Sequence, residues 1–222
     1  MALHELEVVP DADAAAERFA ALIAMRVGAL VAAVGECSLA LSGGTVPWHS
    51  FRLLADEVVP WESVEIFQVD ERVAPTGDEA RNLTHMEESL PPAVWARMHP
   101  MPVDSADLEA AAAQYAQLLP ERLDLVHLGI GPDGHTASLV PDDAVLDVRD
   151  SDVALTATEY QGRRRMTLTY PMLDRSRELL WLVVGESKAE PLRLLLAGDP
   201  SIPAGRIRAE KSLVVADAAA VK

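Results

Sequence analysis

His135 is the residue of this chain best placed for proton chemistry, in the run Gly131-Pro132-Asp133-Gly134-His135-Thr136-Ala137-Ser138 that follows the apolar stretch from Asp124 to Ile130. An imidazole titrates near neutrality, so it can take a proton from water and return it to a leaving oxygen within one turnover. Asp133 is close enough to fix the ring's tautomer and to stabilise the imidazolium as it forms. Gly129, Gly131 and Gly134 are expected to clear space around the ring. The same glycines satisfy the dinucleotide-binding spacing, but Pro141 follows too soon for the long helix that such a fold requires, so that reading is rejected. A lone loop histidine is more often structural or solvated; the glycines and the neighbouring acid favour catalysis here.

Two further loops carry groups suited to an anionic ligand. Ser42-Gly43-Gly44-Thr45 links a strand-like run to a helical pattern. Adjacent glycines allow close approach to a helix amino end, where backbone N–H groups can hold a phosphate, and Thr45 is expected to cap that helix. A tight turn with a cap would account for this segment equally well on its own. Asp70-Glu71-Arg72 closes the next strand, with Asn82 following in the same polar loop. Arginine offers a planar fork for phosphate or carboxylate, and aspartate can position a hydroxyl or a water. An isolated triplet of this kind would ordinarily be a solvated cluster.

Near the C-terminus, Ser187 and Glu190 read as a capping box, which puts Lys188 in the first turn of a helix. A cation there is disfavoured by the helix dipole, by up to ~1 kcal/mol, and a bound anion would reverse the penalty. Of Arg163, Arg164 and Arg165, the last is favoured as a ligand contact because it abuts the next ordered segment. His127 lies within a strand and is expected in the core. No two histidines stand at zinc-ligand spacing, so no metal site is expected, and without a Gly-Xaa-Ser-Xaa-Gly elbow water is the better nucleophile.

These loops need a frame. Strand-like runs at 38–41, 64–69, 124–130, 153–157, 179–184 and 212–215 alternate with helical patterns at 14–34, 48–58, 79–90, 106–119 and 187–197. That rhythm predicts an α/β fold with a mainly parallel sheet covered by helices on both faces, and ligands beyond the carboxyl ends of the strands. No linker or repeat divides residues 1–222, so a single domain is expected. Asp and Glu exceed Lys and Arg by 35 to 19, and a net charge of −16 disfavours nucleic acid and anionic membranes as partners. One cysteine, Cys37, and an N-terminus without a long apolar run predict a cytoplasmic protein.

SGGTVP, DERVAP with ARN, LGIGPDGHTASLVP, RRMTLTYPML and GESKAEPLRLLL occur in this order over nearly the whole chain. Together they resemble the 6-phosphogluconolactonase family. The resemblance implies a Rossmann-like three-layer α/β/α sandwich shared with glucosamine-6-phosphate deaminases. It implies hydrolysis of 6-phospho-D-glucono-1,5-lactone in the oxidative pentose phosphate pathway, with a small sugar-phosphate lactone as partner and no cofactor. Carried over by position, His135 is the catalytic base and Asp70 and Arg72 belong to the active-site cluster. Lys188 contacts phosphate, and Ser42, Gly43, Gly44 and Thr45 form the substrate loop. The commoner family loop is Ser-Gly-Gly-Ser-Thr-Pro, so Thr45-Val46 keeps one hydroxyl and loses another. Two rivals remain: a sugar-phosphate deaminase, against which the chain lacks an Asn-Glu pair after Gly134-His135, and a non-catalytic sugar-phosphate sensor, which would have no use for Asp133 beside His135.

Overall fold

A computed structural model describes residues 4–222. Its centre is a seven-stranded sheet built from β1 (Glu5–Val9), β2 (Cys37–Leu41), β3 (Val64–Gln68), β5 (Met98–His99), β6 (Leu125–Leu128), β9 (Glu178–Val183) and β10 (Lys211–Asp217). The spatial order is β1-β10-β9-β6-β2-β3-β5, and every neighbouring pair is parallel. Parallel strands covered on both faces read as continuous apolar runs, and CSLAL of β2 is buried at all five positions.

The pleat divides those runs between two cores. Leu39, Leu41, Leu180, Leu182 and Val215 face one side, where they meet α1 (Ala12–Val34), α2 (Thr45–Leu53) and α3 (Asn82–Ser89). Ala40, Leu179, Trp181, Val183, Val214 and Ala216 face the other, against α4 (Leu108–Leu118), α5 (Tyr170–Asp174) and α6 (Ala189–Ala197). Period-two alternation within single strands thus builds a three-layer α/β/α sandwich.

A second sheet departs from expectation. The 153–157 run forms β7 (Val153–Leu155), which pairs antiparallel with β8 (Arg165–Leu168) rather than joining the parallel sheet, and β8 pairs antiparallel with β4 (Asp70–Arg72). Met166, Leu168, Val153 and Leu155 of this small sheet pack into the same core as α4. After β6 the next element is only a 3-10 turn, Ala144–Asp147, so the strand–glycine–helix unit of a dinucleotide site is not built, as Pro141 led us to expect. No helix among the described residues is long and apolar enough to cross a membrane.

Candidate active site

The chain order turns back on itself beside β2: β3 lies to one side, while β6 and then β9 lie to the other. Open parallel sheets form a crevice at such a switch point, outside the carboxyl ends of the strands. Here the loops leaving β2, β3, β6 and β9 line one cleft of about 280 Å3 with Ser42, Gly43, Gly44, Asp70, Arg72, Asn82, His135 and Lys188, and β8 adds Arg165.

His135 is partly exposed in this cleft, and its Nδ1 lies 2.5 Å from Asp133 Oδ1. The His135 backbone N–H donates to the same oxygen at 3.2 Å, so both contacts within the loop fall on Oδ1. Nε2 has no hydrogen-bond partner among the described residues, which leaves it open to a water or a substrate. Partial burial pushes the Asp133 carboxyl up, but the His135 hydrogen bond and charge, with the Tyr160 hydroxyl, bring it below its ordinary value. Of the three glycines expected to clear space, only Gly131 does so around the ring: a Cβ there would lie 2.0 Å from His135 Nδ1. Gly134, with a φ of +81°, instead abuts Ile202, and Gly129 has nothing near it.

Asp70 is buried and held at both oxygens. Ser42 Oγ donates to Oδ1 at 3.3 Å and Ser138 Oγ to Oδ2 at 2.7 Å. Asn82 clamps the turn by donating from Nδ2 to the Asp70 carbonyl at 2.9 Å, while its Oδ1 accepts from Arg72. Arg72 and Asn82 therefore reach the cleft as a linked pair. Glu71 faces away from it, fully buried at the amino end of α3, where its carboxylate accepts from the backbone N–H groups of Asn82 and Leu83, each at 2.7 Å. The middle member of the Asp70-Glu71-Arg72 triplet is thus a helix cap rather than part of a solvated cluster.

Two expected caps are corrected. Thr45 is the first residue of α2, not its cap; Gly44, with a φ of 142°, holds that position. Thr45 lines the continuation of the cleft with Arg72, Arg163 and Arg165. At α6 the Ser187–Glu190 capping box does not form. A 3-10 turn, Glu186–Lys188, moves the cap to Lys188, which leaves Pro191 as the third helical residue, without an N–H to donate. Glu190 pairs instead with Arg193. Lys188 consequently sits at the end of the helix and not within its first turn. Burial lowers its pKa, and the Asp133 charge opposes that shift.

Among the three arginines, Arg164 reaches Thr156 O and the surface acid Glu109, and Arg163 pairs with Asp78 at 3.0 Å. Arg165 alone is buried, donating to Gln161 Oε1 at 2.9 Å. His127 is fully buried between Phe19 and Phe51, as expected of a core residue, and its Nδ1 accepts from the Ser42 backbone N–H at 3.3 Å. It props the glycine loop from below. Among the described residues no three His, Cys, Asp or Glu side chains cluster as metal ligands would.

A model of the family described as glucosamine-6-phosphate isomerases/6-phosphogluconolactonase matches residues 10–215. The chain belongs to this family. It is 33% identical to the 6-phosphogluconolactonase of Synechocystis over 216 residues, covering 89% of this chain and 88% of that one. It is also 33% identical to the Mycobacterium tuberculosis 6-phosphogluconolactonase, covering 96% and 95%. Among solved structures, the 6-phosphogluconolactonase of Shewanella baltica superposes with a TM-score of 0.87 at 26% identity, over 97% of this chain and 98% of that one.

Three residues at or behind the cleft of this family member carried no signal in the sequence. Ser138 is in the most distinctive motif, three positions beyond the histidine, and its contact with Asp70 spans the gap between two loops. Gln161 and Tyr160 come from the turn between β7 and β8; only the Gln161-Gly162 pair, a turn signal, could have pointed to them.

Proposed function

We propose that the chain hydrolyses 6-phospho-D-glucono-1,5-lactone to 6-phosphogluconate, the second step of the oxidative pentose phosphate pathway, by His135-activated water. One observation carries the reading: the Asp133–His135 pair, with Nε2 unengaged, shares a cleft with three cationic side chains, Arg72, Arg165 and Lys188. Relatives named for this activity cover most of the chain. In a strongly acidic protein such a local reversal of charge is what an anionic substrate needs.

In the proposed reaction the phosphate is held by the Ser42–Thr45 loop, Lys188 and an arginine, which sets the lactone carbonyl beside His135. Nε2 takes a proton from water as the water oxygen bonds to C1. The resulting oxyanion is stabilised by backbone N–H groups or an arginine. As the C1 to ring-oxygen bond breaks, the imidazolium returns its proton to that oxygen, giving the open acid. Asp133 keeps the proton of the neutral ring on Nδ1 and balances the imidazolium. Asp70, with Asn82 and Ser138, orders the wall opposite. A lactone already opens slowly in water, so base assistance of ~10² to 10⁴ with orientation suffices, and no step uses a metal or a cofactor. The free buried thiol of Cys37 fits a cytoplasmic setting.

The test is lactone hydrolysis above the spontaneous rate, with glucosamine-6-phosphate deamination assayed in parallel. We expect hydrolysis alone, and a His135→Ala variant that binds substrate but loses most turnover. Deamination without hydrolysis, or near-normal turnover by the variant, would refute the proposal.

A further inference from the structure

The turn between β7 and β8 is built separately from the parallel sheet and still reaches the catalytic pair. Tyr160 and Arg163 bridge across it, with Tyr160 N–H donating to Arg163 O at 3.0 Å. The two residues between them, Gln161 and Gly162, have φ of 54° and 80°. Positive φ at both central positions is the requirement of a type I′ turn, whose twist matches the flanking strands. Asp143 anchors the near arm of the loop by accepting from the backbone N–H groups of Ala157 and Thr158, at 3.0 and 2.9 Å. The turn is therefore held at its base and tight at its tip.

What that tip delivers is the Tyr160 hydroxyl. It donates to Asp133 Oδ2 at 2.8 Å, opposite the oxygen that meets His135, and lies 3.2 Å from His135 Nδ1. The Arg165 guanidinium stands over the tyrosine ring, 4.9 Å from its centre, so the ring is held from behind as well. A carboxylate bonded at one oxygen only can rotate; bonded at both it keeps its plane. The Asp133 plane decides whether the proton of the neutral imidazole stays on Nδ1, and hence whether Nε2 is free to act as a base.

We infer that Tyr160 is a positioning residue for the reaction proposed above, acting through Asp133 to hold His135 in its Nδ1–H tautomer. The charged and titratable groups facing this cluster are Asp133, His135 and Tyr160 themselves, Arg165 behind the tyrosine and Lys188 across the cleft. Asp133 loses one of its donors when the hydroxyl goes. Its plane is then set at one oxygen alone, so it holds the Nδ1–H of the imidazolium less firmly, and the acid limb of the kcat/KM profile moves to lower pH.

Tyr160→Phe isolates the hydroxyl, since the ring under Arg165 and the turn are unchanged. We expect kcat to fall about tenfold with KM within about twofold, the worth of a hydrogen bond to a charged group, together with the shifted acid limb. In a cycle with Asp133→Asn, the tyrosine change should cost little more once the carboxylate is gone. Histidine 15N spectra of the substrate-free protein supply a readout independent of turnover: His135 should be the Nδ1–H tautomer in the unaltered chain and a mixture in Tyr160→Phe. Unchanged kcat and pH profile, or additive losses in the cycle, would overturn the role of Tyr160, as would an unchanged tautomer. Failure of the unaltered chain to hydrolyse the lactone would instead sink the proposed function and leave the tautomer measurement to decide on Tyr160.

Discussion

Adding one methyl group at Gly131 should disable the chain while leaving it folded. A Cβ at this position would lie 2.0 Å from His135 Nδ1, 2.2 Å from Cε1 and 2.6 Å from Asp133 Oδ1. Tolerable contact begins near 3.4 Å, so the imidazole must retreat by roughly 1.4 Å and the 2.5 Å bond to Asp133 cannot survive. Gly131 does not use a left-handed backbone, so alanine adds no main-chain strain, and the loop bonds from Gly131 N–H to His135 O and from Gly134 N–H to Gly131 O can persist. Ordering a less flexible residue offsets part of the cost of moving the ring, by about 0.4–1 kcal/mol. Displacing a catalytic group by about 1 Å can cost 10²-fold in rate. Gly131→Ala should therefore lose about 10²-fold or more in kcat, with little change in KM because Lys188, Arg165 and the glycine loop are untouched, and its unfolding midpoint should stay close to that of the parent. Steady-state kinetics beside urea unfolding checks both. A folded variant within threefold of the parent kcat would mean that the Asp133–His135 contact is not what the reaction uses.

Glu71→Ala should act in the opposite way, through stability: it removes four acceptor contacts, two at the start of α3 and one each to the Gln68 side chain and the Arg72 backbone N–H, and strands Arg81, both side chains being buried, so about 3–5 kcal/mol of unfolding free energy should go; a urea-measured loss below 1 kcal/mol would contradict the cap. Burial lowers His127 from 6.5 to about 3, so on acidification the unfolded chain takes up a proton that the folded one refuses. Stability present above pH 6.5 is then lost as pH falls, by about 2 kcal/mol between pH 7 and 5 from this group alone; His127→Gln should show that much less pH dependence in paired denaturation curves, and equal slopes would rule the account out. Lys188→Gln should raise KM about tenfold or more with a smaller effect on kcat, as expected for one charged contact to phosphate; an unchanged KM would remove Lys188 from the phosphate site.

The elements that could be read from the sequence were those whose own residues repeat the fold's periodicity. β2, β9 and β10 are apolar runs because helices cover both their faces, and α1 buries Phe19, Ile23 and Val27 along one stripe. β1 escaped because ELEVV is an edge strand whose apolar Leu6 and Val8 are exposed beside its glutamates, and β5 because it has two residues. β4 is harder still, since Asp70-Glu71-Arg72 is wholly charged and becomes a strand only through β8, almost a hundred residues away. Its burial is made affordable by distant partners: a helix amino end for Glu71, two serines and an asparagine for Asp70.

The same division runs through the site. His135 and Asp133 could be paired from two positions of separation, and the glycine loop from its place between strand and helix. Tyr160 could not, because its hydroxyl acts 25 residues from His135 and nothing local marks it. Its place depends on the type I′ turn, on Asp143 holding the loop and on Arg165 behind the ring, none of which is adjacent to the chemistry in the chain. Local spacing therefore marks the groups proposed to react, whereas the groups proposed to aim them come from wherever the fold brings a second element across the cleft. That is why a conservative change at Tyr160 is a sharper test of the arrangement than removal of His135: the base would be missed under many mechanisms, but only this geometry makes its tautomer depend on a hairpin tip.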